Sequence, residues 1–476
     1  MLQRLKRLSA SINMTKGSPY KLLIMFSIPL LIGNAFQQLY NTVDSIVVGQ
    51  FVGGEALAAV GAGFPIMFAL LALFMGLGMG GTVLVSQFYG AEDYDSLNRT
   101  IGTVYRIVLL GSIPVAVLGF FIARPLLVML NVPDDGTLTL AVSYLQIILI
   151  GMTGSIGFNI NAGILQGLGD GVSSLLFLAI ATVTNIILDL LFVIVFNWGV
   201  PGVAMATISS QWLSWILGMI YINRKYNFIK ISIKDSQFDP KLAREVVRIG
   251  IPSSIQQVMF SVGAMVLNSL INSYGSSYMA GYNAGHRLDT FVFLPIQSSS
   301  IAITTFVGQN IGAKRLDRVQ QGLKAGLIIS GGLAIVTSLI LYPLSPYAMR
   351  LFTQEGAIIN AGVEYLHAIL PFYFMLAALF IYNGTLRGAG QTMIPMVSSF
   401  FSLWLVRVPA AYLLAGNLGR EYIFYSFPIG WAVGIAISGL YYHFAPWRER
   451  LLRELGEVKP RKSDELAAIP ESESVN

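Results

Sequence analysis

The chain has 476 residues, 55% hydrophobic and only 11% charged, whereas a water-soluble domain carries about 25% charged residues, so it reads as a polytopic membrane protein. It contains no cysteine, which excludes disulfides, thiolate catalysis and cysteine-held metals, and its three histidines (His286, His367 and His443) are too scattered for a metal site. The net charge of +6 sits in loops and tails, where it argues for membrane topology rather than nucleic acid.

The first stretch, Met1 to Ser18, is basic with spaced apolar residues Leu2, Leu5, Leu8 and Ile12. It lacks the continuous apolar core of a signal peptide and is expected to form a short interfacial helix on the cytoplasmic surface. Twelve apolar segments follow, over 20–45, 57–84, 100–122, 138–163, 172–196, 201–222, 246–272, 279–306, 320–343, 360–384, 393–415 and 421–445. Each is long enough to cross a bilayer as a helix. Turn-type clusters such as Val52-Gly53-Gly54 and Val132-Pro133-Asp134-Asp135-Gly136 separate them. With the N-terminus inside, the inner segments hold 23 Lys and Arg, and the outer loops hold only Arg124, Arg350 and Arg420. That bias places both termini in the cytoplasm.

The chain repeats itself. Ser27-Ile28-Pro29 recurs as Gly250-Ile251-Pro252, Tyr89-Gly90-Ala91 as Ile311-Gly312-Ala313, and Gly163-Ile164-Leu165-Gln166-Gly167 as Gly384-Thr385-Leu386-Arg387-Gly388. The offset stays between 221 and 223 along nearly the whole chain. The expected fold is therefore an all-α membrane protein of twelve transmembrane helices, in two six-helix lobes related by a parallel internal repeat about an axis along the membrane normal. The divisions are a basic N-terminal segment (1–18), a first lobe (19–222), a cytoplasmic loop (223–245), a second lobe (246–447) and a cytoplasmic tail (448–476). The tail is expected to be disordered beyond about Val458.

Within segment five, Asn185 and Asp189 are four residues apart and share one helix face. A carboxylate there costs roughly 2.5–3.5 kcal/mol on insertion scales, and intramembrane acids are functional by default. Asp44 near the outer end of segment one, Thr207 early in segment six and Tyr144 early in segment four fall at a similar depth, at 1.5 Å per residue. Apart from Lys21 at the very start of segment one, Arg106 is the only basic residue in the first lobe's apolar segments, and it lies near the inner end of segment three. Two acids without a basic partner suit H⁺ or Na⁺, and Asp, Asn and Thr supply the oxygen ligands a hard cation wants. The second lobe does not copy this site: Val406 stands opposite Asn185 and Ala410 opposite Asp189. It carries instead His286, Arg287 and Asp289 in segment eight and Arg407 in segment eleven, read either as a structural ion pair of Arg407 with Asp289 or as groups facing a cavity.

Gly76-Leu-Gly-Met-Gly-Gly81 fits G-x-G-x-x-G but lies inside an apolar run with no strand before it, so it reads as close helix packing, as do Gly430 and Gly434. There is no G-x-x-x-x-G-K-[ST], which argues against ATP as energy source, and no H-E-x-x-H or G-x-S-x-G, which argues against a hydrolase. Pro29 lies on the same helix as Asp44, where it removes a backbone hydrogen bond and permits a bend.

The stretch Gln37-Gln38-Leu39-Tyr40-Asn41-Thr42-Val43-Asp44-Ser45-Ile46-Val47-Val48-Gly49, the Gly-Ala loops after segments two and eight, and the Gly-x-x-x-Gly-x-Gly turns after four and ten resemble the multidrug and toxic compound extrusion (MATE) transporters, over about residues 15–447. Asp44, Asn185 and Asp189 match the positions that form the first-lobe cation site in the DinF-type branch, and Thr207 matches a ligand on the sixth helix. The resemblance implies cation coupling or Na⁺ binding at these four residues, with Tyr144 and Gln37 around them and a hinge at Pro29. NorM-type relatives carry acids on the seventh and tenth helices. Here segment seven offers Gln256 and Gln257 instead, so a NorM-type second-lobe site is not expected.

The function implied is export of amphipathic, often cationic, organic compounds in exchange for H⁺ or Na⁺, by alternating access of two lobes. No cofactor, ATP or nucleic acid is expected, and the partners are small molecules and the lipid bilayer. The location implied is a bacterial-type cytoplasmic membrane, spanned many times. Alternatives are a lipid-linked precursor flippase, which more often has extra helices and a strongly basic cavity, and a non-transporting sensor or scaffold. A membrane-embedded enzyme would need a catalytic cluster, and none is visible.

Overall fold

A computed structural model describes residues 11–130, 132–231 and 238–454. Twelve helices are long and apolar enough to span a membrane: α1 (Pro19–Val52), α2 (Gly54–Gly90), α3 (Tyr94–Met129), α4 (Thr137–Gly167), α5 (Gly171–Val195), α6 (Gly199–Lys225), α7 (Pro240–Asn272), α8 (Ser276–Gly312), α9 (Leu316–Met349), α10 (Gly356–Gly388), α11 (Met393–Asn417) and α12 (Arg420–Phe444). A short helix, α13 (Trp447–Glu454), follows. Among the described residues there is no strand. The twelve spans match the twelve apolar segments in number and order, but several run further at the end of the bundle that carries the chain termini. The 37 residues of α2 reach about 55 Å, well beyond a hydrocarbon core of about 30 Å. The added turns are polar enough to stand in water, as Gln87 on α2 and Asp95, Asn98 and Arg99 on α3 show.

The packing repeats as the sequence does. In the first lobe α4 packs against α2, α3 and α6, and α1 packs on α5; in the second, α10 packs against α8, α9 and α12, and α7 packs on α11. Each lobe has its own apolar core, one centred on α2, α3 and α4 and the other on α8, α10 and α12. A partly buried ion pair locks the termini end of the first lobe: Lys225 Nζ lies 2.5 Å from Asp170 Oδ2, which also accepts from the Tyr226 hydroxyl at 2.8 Å. Asp170 also caps α5 by accepting from the Ser173 amide, the role expected of an aspartate before a helix.

The lobes are joined from mid-membrane to the termini end. A Cβ on Gly76 would lie 2.3 Å from the Ser254 nitrogen of α7, and one on Gly80 would lie 2.4 Å from the Val246 carbonyl. The G-x-G-x-x-G stretch is thus a helix-packing surface, because only glycine lets two backbones approach this closely. Gly90 meets the Gln309 carbonyl and Gly312 meets the Gln87 carbonyl in the same way. Gly430 and Gly434 likewise pack α12 on α10 and α11. Hydrogen bonds from Ser254 Oγ to the Leu73 carbonyl (2.7 Å), Asn34 Nδ2 to Ser298 Oγ (3.1 Å) and Gln87 Nε2 to the Gly388 carbonyl (3.0 Å) close the seam. Among the described residues no hydrogen bond joins the lobes nearer the far end.

Most of the segment expected to form an interfacial helix, Met1 to Ala10, lies outside the described residues, and only its last eight residues are described. Ser11 to Ser18 are not helical. They form a strap across the seam. The Ile12 amide donates to the Gly169 carbonyl of the first lobe (3.0 Å), and the Met14 amide to Gln309 Oε1 of the second (2.9 Å). The Met14 carbonyl accepts from Asn310 Nδ2 and Arg318. A non-helical stretch leaves its backbone groups free for such partners, whereas a helix consumes them internally. The expected disorder of the tail falls on residues 455–476, and part of the inter-lobe loop on 232–237, both outside the described residues.

Candidate first-lobe cation site

Four helices of the first lobe bring their polar residues to one place. Asp44 on α1 and Asp189 on α5 meet carboxylate to carboxylate. Asn185, one helical turn before Asp189, lies beside it. Tyr144 from α4 lies within electrostatic reach of Asp44, Tyr40 and Asp189. Thr207 from α6 accepts from the Tyr40 hydroxyl at 3.3 Å. The depth estimated from helix direction and rise therefore holds for Asp44, Asn185, Asp189, Thr207 and Tyr144. Gln37 is half-buried on α1, with no hydrogen bond to this group among the described residues, and Pro29 lies four turns away inside the same helix.

The site is largely buried and short of protein hydrogen bonds. Asn185 and Asp189 are fully buried, and Tyr144 and Thr207 nearly so. Asp44 Oδ1, both oxygens of Asp189 and both polar atoms of Asn185 are buried with no hydrogen-bond partner. Buried polar groups are rarely left so, and each costs about 1–3 kcal/mol or more when charged. No basic group acts on either acid. Two bare unit charges about 4 Å apart repel by about 4 kcal/mol at an effective dielectric of about 20. The arrangement can therefore take one shared proton between the carboxylates, or a small hard cation on the oxygens of Asp44, Asn185, Asp189 and Thr207. Among the described residues no group of three or more His, Cys, Asp or Glu gathers, so the donor set does not suit a transition metal.

Apolar side chains close this pocket toward the far end. Val47, Val48, Val193, Val200, Val203 and Ala204 pack with Tyr144 and Ile148, each a turn or so beyond the acids. The helices change pitch at the same level: α1 is π-helical over Val48–Val52 and α5 over Leu190–Val195, an irregularity frequent at functional sites.

Two members were missed from sequence. Tyr40 is four residues before Asp44 and Gln211 four after Thr207, and both line the site, with Gln211 beside the Tyr40 hydroxyl. Gln211 is held in turn by Ser155 of α4. The same four-residue spacing that linked Asn185 to Asp189 was the available signal.

In the second lobe Arg407 and Asp289 do not form an ion pair within 4 Å. Asp289 accepts instead from the Tyr365 hydroxyl (2.9 Å) and stands 3.3 Å from His286 Nδ1. The Arg407 guanidinium lies 3.3 Å above the Phe427 ring, where a weakly hydrated planar cation stacks well. Arg287 is exposed and has no ion pair among the described residues.

Comparison with known proteins agrees with this build. The MatE family model matches twice, over residues 29–191 and 252–413, which coincides with the repeat. The chain is 31% identical to a Bacillus subtilis protein named as a probable multidrug resistance protein, YpnP, over 92% of this chain and 97% of that one. It is 28% identical to a Thermotoga maritima protein named as a probable multidrug resistance protein, NorM, over 83% and 85% of the two chains. Among solved structures, the outward-facing conformation of a multidrug resistance MATE family transporter superposes with a TM-score of 0.82 at 24% identity, covering 94% of this chain and 98% of that one.

Proposed function

This chain belongs to the MatE family of membrane transporters, and we propose that it exports amphipathic, often cationic, organic compounds in exchange for H⁺ or Na⁺. The family is one of transporters, and several relatives are named for multidrug resistance or multidrug export. One observation carries the coupling: Asp44 and Asp189 meet in a buried site with five unpartnered polar atoms and no base.

The mechanism follows from where α1 runs. Its far half brings Asp44 to the first-lobe site, while its other half packs against α8 and α9 of the second lobe through Leu23, Phe26 and Leu30 and the Asn34–Ser298 hydrogen bond. One helix thus touches both the cation site and the seam. A proton or Na⁺ arriving at Asp44 and Asp189 relieves their repulsion, draws α1 toward α5, and alters the bend available at Pro29. The seam held by Gly76, Gly80, Gly90 and Gly312 then exchanges with an opening at the termini end. With 23 Lys and Arg on that side, both termini lie in the cytoplasm of a bacterial cell, and the form described here, joined at that end, faces outward. Alternating access of this kind is the natural motion of two lobes about a pseudo-two-fold axis.

The deciding experiment is reconstitution in liposomes with a fluorescent cationic dye, under an imposed pH gradient and then an imposed Na⁺ gradient, comparing wild type with Asp189→Asn. Coupled transport by wild type and a folded but uncoupled variant support the reading and identify the ion. A variant that keeps full coupling makes Asp189 structural and removes the mechanism.

A further inference from the structure

A separate cavity of about 310 Å³ lies at the termini end of the second lobe, away from the first-lobe site. Gln320, Lys324, Tyr382, Tyr442, His443 and Arg448 line it together with Leu323 and Leu327. Three of its lining side chains carry or can carry positive charge, and no carboxylate lines it. Neither Lys324 nor Arg448 has an ion pair within 4 Å among the described residues. Arg448 is instead held over the Tyr442 and Trp447 rings, 4.5 and 5.3 Å from their centroids, and His443 faces the Tyr382 hydroxyl at 3.3 Å.

The depth of this cavity is informative. Gln320 to Leu327 lie one to three turns inside the start of α9, Tyr382 near the end of α10, and His443 at the end of α12. Arg448 is the second residue of α13, whose Trp447 is buried. A basic rim with tyrosines and tryptophan above leucines, at the end of a membrane span, is the place where a lipid phosphate sits above its acyl chains. Lys324 is about 12 Å along α9 from its start, and its flexible stem lets the ammonium reach back to the same level.

We propose that this cavity binds the phosphodiester headgroup of an anionic membrane phospholipid, with Lys324 and Arg448 on the phosphate and Leu323 and Leu327 against the upper acyl chain. The lipid would bridge α9, α10 and α12 to α13. The inference goes beyond the transport reading and does not depend on which ion drives it.

The test uses the full chain, delipidated in a neutral maltoside detergent. Short-chain phosphatidylglycerol, phosphatidylcholine and inorganic phosphate are titrated separately, and bound ligand is followed by native mass spectrometry at two salt concentrations. The expected result is at least tenfold preference for phosphatidylglycerol over phosphatidylcholine, weakening with salt. Lys324→Gln should lower that preference about fivefold, and adding Arg448→Gln about fivefold again. Arg124→Gln, at the opposite end of the bundle, should leave it unchanged. Equal binding of the two lipids, or an undiminished preference in Lys324→Gln, overturns the proposal. Tight binding of inorganic phosphate that excludes phosphatidylglycerol overturns it in favour of a soluble anion. If the double variant does not run as a single species on gel filtration, the Lys324→Gln result decides alone.

Discussion

Tyr144 of α4 and Tyr365 of α10 stand at matching positions of the two repeats, and each is buried in its own lobe within reach of that lobe's ionisable group. The tyrosine is the shared part, and the charges around it are not. Tyr144 looks onto two acids with no base. Tyr365 donates to Asp289 in a cluster that also holds His286 and Arg407. One scaffold thus carries a pair of acids without a base in one lobe and a cluster of mixed charge in the other.

This contrast predicts different costs for the same change. Tyr365→Phe removes a donor from a buried carboxylate and should destabilise the protein by about 1–3 kcal/mol. Tyr144→Phe removes a hydroxyl that makes no recorded hydrogen bond and should change stability little. Thermal unfolding of both variants in the same detergent checks the difference. Equal losses would mean that Asp289 does not depend on Tyr365.

The first-lobe acids should matter to coupling and not to folding. Asp44→Asn and Asp189→Asn each keep the side-chain shape and remove one of two facing buried charges. Gradient-driven dye export is expected to fall at least about tenfold in either variant, while the melting temperature stays the same or rises, because breaking up a buried like-charge pair removes an unfavourable term. A melting temperature several degrees lower would show that the acids are structural.

The glycine seam should resist any side chain. In Gly312→Ala the new Cβ would lie 1.8 Å from the Gln87 carbonyl oxygen, and in Gly90→Ala 1.9 Å from that of Gln309. Overpacking of this sort costs roughly 1–3 kcal/mol, enough to shift the population toward forms with the lobes parted at the termini end. Electron–electron distances between spin labels on the two lobes at that end should lengthen. Unchanged distances would mean that the backbone adjusts locally.

The strap makes a fourth prediction. Arg318 is buried, binds Asn310 through Nε at 2.9 Å and reaches the Met14 carbonyl at 3.1 Å. Lysine cannot make this fork, so Arg318→Lys should loosen Ile12 to Met14. Hydrogen exchange at these amides should quicken by about tenfold, with little change in the helices. Protection equal to wild type would show that Gln309 and Asn310 suffice to hold the strap.

Much of this was legible along the chain. Length and apolarity determine twelve spans, because a bilayer demands about 20 apolar residues per crossing. A constant offset near 222 determines two like lobes, and the family model's two matches reproduce it. The i, i+4 spacing of Asn185 and Asp189 marks a polar face that lipid would reject, so it had to point inward. All of these are local or periodic properties, carried by neighbours in sequence.

What only the tertiary structure decided depends on which helices touch. Helix direction and rise place Asp44 and Asp189 at one depth but not at one point, since depth leaves rotation and lateral position free. The packing of α1 on α5 brings them together. Asp289 and Arg407 share a depth as well, yet Tyr365 and His286 take the carboxylate, because side-chain reach across three helices settles the partner. The strap over the seam has no periodicity to announce it. Its backbone groups are satisfied by a loop of one lobe and the amide side chains of the other, and no sequence separation encodes that meeting.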